Sequence, residues 1–554
     1  MKSKYNSFCK KCRQRIRIGD EITKEGDAWV HDECPTGDAL ADAIRQSEKI
    51  GLETRNQLVD TTTFIGNSNF TPSFYQESIF DFVKNSQGNA VVEATAGSGK
   101  TTTIVKALEM VPAGKRVVFL AFNRHIVAEL RKRAPAGVTV ATIHSLGLSI
   151  IREMNPKVKI DEEKVFSILD EFWPVGREVD NHTRMMHRLL RSHMSKIVSL
   201  AKSTLVDVLN RQSVEEMIER YGLDLNGEQE TILEKLPQVI QSCRNYDECV
   251  DFDDMPWLPV VEKMEFEKFD YVFVDEAQDL NFCNARFLCN IVSDTGRVIA
   301  VGDRNQSLYA FRGANPDAIP NLISALSATV LPLSISYRCP RSHVMEIKRF
   351  VSEIEPSDTA KDGSIEHIEY EQFLDIVQPG DMVLCRTNAP LVNPAFECIR
   401  RNKKAIIRGR DIGKSLVVFI QRFEASDLSQ LDILMTEFTE HEYRRLVEKG
   451  KDLQAANAIE KLDTIREVAK RCKSIDDLTS KLLILFDDSN TGVVFSSIHR
   501  AKGLEADNVF ILRKDLMPHP KAKQDWELVQ ERNAMFVAGT RSKDRLYYVT
   551  DRGV

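Results

Sequence analysis

Long apolar runs are missing from this 554-residue chain. No stretch approaches the ~20 consecutive apolar residues that a bilayer-spanning helix requires, and the opening MKSKYNSFCKKC lacks the apolar core of a secretory leader. No membrane role is therefore expected, and the chain should work in the cytosol, or in the nucleus if its source is eukaryotic. A global excess of positive charge is missing too. With a formal net charge of −7, any nucleic-acid site has to be a local basic groove. Low-complexity tracts and internal repeats are absent, which excludes solenoids and disordered polymers. What remains is ordinary folded composition, 42% hydrophobic and 28% charged, in a length that implies about three to five domains.

Cysteine is not scarce. Eight of the eleven (Cys243, Cys249, Cys283, Cys289, Cys339, Cys385, Cys398 and Cys472) have no ligand spacing and read as reduced thiols. The other three join a histidine in Cys9-x2-Cys12-x18-His31-x2-Cys34, two close pairs of soft ligands of the kind tetrahedral Zn²⁺ takes. Residues 1–36 are thus expected to form a zinc-binding module. With Trp29 just before the histidine, it resembles the first half of a LIM domain or a related treble-clef finger. Residues 37–59 read as a polar helix, and TTTFIGNSNF completes a helix-and-linker segment over 37–69.

Beyond this segment, short β-branched runs alternate with helical stretches: 91–92, 117–122, 271–274 and 298–301, then MVLCRT from Met382, AIIRG from Ala405, VVFSSIH from Val493, NVFILR from Asn508 and RLYYVT from Arg545. Continuous apolar strands separated by helices indicate parallel sheets covered on both faces. The expected fold class is α/β, with two parallel-sheet lobes. The first lobe is expected over 70–150 and 262–327, interrupted by a helical insertion at 151–261. The second is expected over 328–414 and 492–554, interrupted by a compact insertion at 415–491.

The strongest local signal is AVVEATAGSGKTTTIVKAL. A buried strand runs into the loop Ala94-Thr95-Ala96-Gly97-Ser98-Gly99-Lys100-Thr101 and then a helix, which fits a phosphate loop with alanine in place of its first glycine. Backbone N–H groups around the two glycines would curl about phosphate oxygens at the positive end of the helix dipole. Lys100 would hold the β and γ phosphates, and Thr101 would ligate Mg²⁺. In FDYVFVDEAQD an apolar strand ends in two acids. Asp275 is the candidate Mg²⁺ ligand, since that ion takes hard oxygens, and Glu276 the candidate base for the attacking water.

From these segments onward the chain resembles the UvrD/PcrA/Rep family of superfamily 1 helicases. VDEAQDLN, VGDRNQSLYAFRGA, ISYRCP, HRAKGLEADNVFIL and QERNAMFVAGTRSKDRLYYV are similar to that family's successive motifs, in family order and over both lobes. The resemblance implies two RecA-like lobes of the P-loop NTPase class that close over ATP. It implies Arg338 and Arg541 as charges on the γ phosphate, Gln306 as its sensor, and Glu505 as a ribose contact. Gln76, in a Q-motif-like TPSFYQESI, and Tyr337 are implied at the adenine. Familiar members carry an arginine directly after the loop threonine, but here that position is Thr102, which leaves one face of the base without its usual partner.

Single strands bind proteins through stacking on aromatics plus contacts to phosphates. The resemblance implies Phe122, Asn123, Thr142, His144, Tyr309, Phe311 and Arg312 as strand contacts. The run HTRMMHRLLRSHMSKIVSLAK in the first insertion has five basic residues, and no acid lies between Asp180 and Asp207. On a helix this makes either a phosphate-binding face or merely a solvated one.

The reading is an ATP-dependent helicase or translocase on single-stranded DNA, working at single–double strand junctions. The resemblance implies 3′→5′ movement. The chain is expected to act as a monomer, with the zinc module available to a replication or repair partner. Two alternatives stay open: a translocase that strips proteins or remodels recombination intermediates without processive unwinding, and a zinc-anchored adaptor whose ATPase only switches a partner. RNA is an open substrate. No nuclease domain is expected after the last motif.

Overall fold

The computed structural model describes residues 70–550 apart from 122–123, 177–178, 224, 226, 309–317, 424, 449–451 and 489–490, together with the backbone of four short strands nearer the amino terminus. The chain divides into two compact units, Met1–Thr71 and Pro72–Val554. In the first unit, Ser7–Phe8 pairs antiparallel with Arg15–Ile16, and Ile22–Glu25 pairs antiparallel with Ala28–His31. Cys9, Cys12, Cys34 and the side chain of His31 lie outside the described residues. So does the expected polar helix at 37–59.

The second unit is built on two all-parallel sheets. Strands β1 (Ala90–Ala94), β2 (Val117–Leu120), β3 (Val138–Ala141), β4 (Phe269–Val274), β5 (Val292–Gly302) and β6 (Thr329–Leu333) form the first, in the order β6-β1-β5-β4-β2-β3. Strands β7 (Ser364–Glu369), β8 (Met382–Cys385), β9 (Ala405–Arg408), β10 (Phe486–Asp487), β11 (Val493–Ser497), β12 (Ala506–Leu512) and β13 (Ser542–Thr550) form the second, in the order β7-β13-β12-β8-β11-β9-β10. Both sheets are buried on two faces, as parallel crossovers demand. Alternate residues feed opposite cores. Val92, Phe119, Phe273 and Val301 pack on one side of the first sheet; Val91, Val118, Val272 and Ala300 pack on the other. Val383, Phe495 and Phe510 are divided in the same way from Leu384, Val509 and Ile511. This is the α/β architecture expected of RecA-like helicase lobes.

The two helical insertions differ in kind. The first has a core of its own, in which Trp173, Met194, Ile197, Val198, Leu236, Val239 and Trp257 pack together. In the second, Leu431, Met435, Leu462, Ile465, Val468 and Leu482 share one core with Phe373, Val383 and Phe495 of the sheet region, so its helices add a layer to the second lobe.

The basic run is a helix, Asn181–Thr204, but it does not present a continuous positive face. Lys202 is buried, 2.7 Å from Asp251 and 2.8 Å from Asp254, and Lys164 reaches Asp254 from the neighbouring helix Lys164–Phe172 at 2.8 Å. Arg191 turns inward to Asp170 and the carbonyl of Phe166. Acids distant in sequence neutralise what looked like a free cationic stripe. Among the described residues no helix is long and apolar enough to cross a membrane, and eight cysteines are free thiols.

Candidate active site

The candidate residues collect where parallel-sheet folds place ligands, beyond the carboxyl ends of the strands. The phosphate-loop sequence leaves β1, Asp275 and Glu276 leave β4, and Asp303 leaves β5. Thr95 is pinned by donating its N–H to Leu333 O (3.0 Å) and its hydroxyl to Ser334 O (3.0 Å), which fixes the loop to the end of β6. Gly97 needs its missing side chain twice over. Its φ is +73°, and a Cβ there would lie 2.5 Å from the Arg338 Cβ. Gly99, at φ +77°, caps the helix Lys100–Leu108 whose first turn faces the site.

This close approach brings the loop against Tyr337 and Arg338. Tyr337 donates its N–H to Gly97 O at 2.9 Å while its side chain stays exposed. Gln76 is buried beside the loop, but both ends of its amide have protein partners. Its oxygen accepts from Ser73 N–H (3.0 Å), closing a capping box, and its nitrogen donates to the Thr103 hydroxyl (2.9 Å). In this structure it ties the helix Phe74–Asn85 to the phosphate-loop helix. Beside Thr102, the residue after the loop threonine, stands a guanidinium that also pairs with Glu129 at 3.0 Å. Arg133, at the end of the helix Arg124–Arg133, donates to the Thr102 hydroxyl at 3.3 Å.

The acid pair is an electrostatically crowded spot. Burial and the charge of Glu276 push Asp275 up to about 7, against the opposing pull of Lys100. Burial works in the same direction on Glu276, yet Lys100, Lys502 and the amide of Gln278 outweigh it and hold that carboxyl below its usual range. Burial also raises Asp303. Adjacent buried carboxylates whose repulsion raises one of them form a hard-oxygen donor set that a divalent cation would relieve, so Asp275, with the Thr101 hydroxyl, suits Mg²⁺.

Gln306 is buried and donates its amide to Asp303 at 2.7 Å. Arg338 donates Nε to Glu505 at 2.6 Å, pairing two residues assigned to different parts of a nucleotide. Arg541 is buried; its guanidinium donates to Val537 O (2.9 Å), Leu504 O (3.2 Å) and the Thr540 hydroxyl (2.8 Å). Burial and the nearby Arg338 both disfavour its charge.

Two of the expected strand contacts are described residues. Thr142 is a buried helix cap, its hydroxyl accepting from Ser145 N–H at 3.0 Å, and His144 sits in the first turn of that helix, Ile143–Met154. Phe122, Asn123, Tyr309, Phe311 and Arg312 lie outside the described residues. Reading the sequence also missed partners. Gln278 donates to Glu276 and accepts from Asp303 N–H at 3.0 Å, so it joins the acid-pair turn to the Gln306 turn. Asn533 of the helix Asp525–Gly539 donates to Ser307 O at 2.9 Å, across from the second lobe. Lys502 donates to both oxygens of Asp279, at 2.9 and 2.6 Å. A cavity of about 880 Å³ lies apart from the acid pair, lined by Lys196 and Tyr221 of the first insertion, Lys461 of the second, and Arg386, Arg500 and Trp526 of the second lobe. Lys502 and Arg500 stand inside HRAKGLE, and Gln278 inside DEAQD; what each touches depends on the fold.

Comparison with known proteins decides the family. The model for the UvrD/REP helicase N-terminal domain matches residues 76–326, and that for the UvrD-like helicase C-terminal domain matches residues 492–549. The chain belongs to the UvrD/Rep-like superfamily 1 helicase family. Among its relatives are DNA helicase II of Haemophilus influenzae, 25% identical over 276 residues (45% of this chain, 36% of that protein), and ATP-dependent DNA helicase Rep of Escherichia coli, 24% identical over 285 residues (48% and 40%). F-box DNA helicase protein 1 of Schizosaccharomyces pombe is 23% identical over 495 residues, 82% of this chain and 55% of that protein. The chain spans between about a third and just over half of the length of these UvrD/Rep-like relatives.

Proposed function

We propose that this UvrD/Rep-like chain is an ATP hydrolase that moves on single-stranded DNA and opens duplex at single–double strand junctions. The observation that carries the reading is convergence: a phosphate loop, an acid pair, a polar sensor and two arginines meet between two parallel-sheet lobes. Lys100 neutralises the β and γ phosphates, and Thr101 and Asp275 would hold Mg²⁺, which draws charge from the transferring phosphoryl group. Glu276 takes the proton of the attacking water. Gln306 reports the γ phosphate, and Arg338 and Arg541 stabilise the transition state. Tyr337 and Arg133 offer planar faces for the base. Glu505 serves the ribose, and Gln76 holds the wall behind the loop.

Phe122, Asn123, Thr142, His144, Tyr309, Phe311 and Arg312 are assigned to the strand, with the cavity between the insertions and the second lobe as its onward path. Residues 1–36 are proposed to bind one Zn²⁺ through Cys9, Cys12, His31 and Cys34, on the strength of ligand spacing. Movement 3′→5′ and action as a monomer rest on family likeness. The test is strand displacement on duplexes with 3′ or 5′ single-stranded tails, with ATP consumption recorded in parallel. Unwinding from the 3′ tail supports the reading; strand-dependent ATP consumption without displacement would favour the non-unwinding translocase. Hydrolysis indifferent to any strand would leave the adaptor.

A further inference from the structure

Lys502 and Asp279 form an ion pair beside the acid pair and are assigned no step of phosphoryl transfer above. They stand on different lobes: Lys502 in the loop between β11 and β12, Asp279 in the short turn Ala277–Asp279 after the acid pair. Their side chains are nearly sealed from solvent, 9% and 4% exposed, and the ammonium is within hydrogen-bond distance of both carboxylate oxygens. A buried charge pair is costly to assemble and more costly to leave half made, so it fixes the two pieces of backbone that carry it.

What Asp279 anchors is the proposed base. Its N–H donates to Glu276 O at 2.9 Å, closing a turn that starts at Glu276 itself. Glu276 sits at φ +52°, in the left-handed region that a side-chain-bearing residue occupies only when its surroundings enforce it. Contacts within the first lobe and one from the second bear on this turn. Gln278 links the Glu276 carboxylate to Asp303 N–H, and its side-chain Oε1 packs so close to Gly302 that a Cβ there would lie 2.6 Å from it. Both of these contacts belong to the first lobe. The Lys502 contact alone in this set comes from the second lobe.

We propose that Lys502 is a positioning residue: by clamping Asp279 when the lobes close, it holds the Glu276 turn in its strained, hydrolysis-competent form, so that the base is set only in the closed state. The inference rests on the ATPase reading above and deepens it. Opening the lobes withdraws the ammonium and lets the turn relax, which makes hydrolysis conditional on closure through the base as well as through the arginines. Lys502 touches neither nucleotide nor water in this account.

The test uses the full chain with Lys502→Gln, Asp279→Asn, the double variant and Lys502→Arg. Misplacing a reacting group by about an ångström costs on the order of 10–100-fold in rate. Each single variant should therefore lose about that much kcat with KM for ATP and fluorescent-nucleotide affinity nearly unchanged. The double variant should be no worse than the poorer single, and Lys502→Arg should recover most of the rate. Normal kcat in either single variant, additive losses in the double, or a loss confined to nucleotide affinity overturns the proposal. If Lys502→Gln does not fold, the isosteric Asp279→Asn carries the same test. Wild-type protein with no strand-stimulated hydrolysis would instead sink the underlying ATPase reading, and normal wild-type turnover with normal variants would sink this inference alone.

Discussion

Arg338 and Glu505 form an ion pair, Nε to Oε2 at 2.6 Å, with the arginine a quarter exposed and the glutamate nearly half. The arginine assigned to the γ phosphate and the acid assigned to the ribose thus satisfy each other. Lys543 stands 3.7 Å from the other Glu505 oxygen, so the carboxylate keeps a cation when Arg338 leaves. With the nucleotide roles proposed above, ATP binding would exchange carboxylate for phosphate at the guanidinium while Glu505 passes to Lys543 and the sugar.

Arg338→Ala and Arg541→Ala should each lower kcat by on the order of 10³-fold, the lower range for an arginine acting on a transferring phosphoryl group, with a much smaller change in ATP binding. Steady-state ATPase measurements beside fluorescent-nucleotide titration check this. Normal turnover in both variants would show that lobe closure is not the step that stabilises the transition state.

Glu276→Gln should bind ATP and lose at least ~10²-fold in hydrolysis, as expected for a positioned base. Lys100→Ala should lose turnover outright while nucleotide-free affinity for a single strand survives. A Glu276→Gln protein that hydrolyses at the normal rate would move the base elsewhere.

Arg133 tests whether nucleotide selectivity survives the threonine at 102. Stacking a guanidinium on the base is worth about 0.5–1 kcal/mol at a partly exposed site, so Arg133→Ala should raise KM for ATP roughly two- to fivefold and leave kcat alone. Adding Thr102→Arg should restore it by supplying the guanidinium from the neighbouring backbone position. If the double variant stays impaired, Arg133 serves only to brace its helix.

The sheets were largely legible because buried parallel strands read as continuous apolar runs; β4, β8, β11 and β12 are of this kind. The strands that escaped are edges. Thr329–Leu333 carries a proline and three exposed residues, and Ser364–Glu369 alternates charge with aliphatics, so neither reads as a core strand. Glycines 97 and 99 and the acid pair were legible because their chemistry is local to a few residues. Lys502–Asp279, Arg133–Thr102 and Gln278–Asp303 were not, since each depends on loops brought together by crossovers. The basic helix misleads for the same reason: Asp251 and Asp254, which neutralise Lys202, lie some fifty residues beyond it.

That buried cluster has a measurable consequence. Lys202→Met leaves Asp251 and Asp254 to share Lys164 in a buried site, a change that typically costs ~3–5 kcal/mol. Urea unfolding followed by the fluorescence of Trp173 and Trp257, both in that core, should show a transition at lower denaturant. An unshifted transition would mean that the cluster is dispensable.

The most direct test of the central claim is ATP hydrolysis by the purified chain with and without single-stranded DNA oligonucleotides, with matched RNA alongside. The account predicts weak basal turnover, strong stimulation by DNA and loss of both in Lys100→Ala. Turnover that is unaffected by DNA, or that persists in Lys100→Ala, would contradict it.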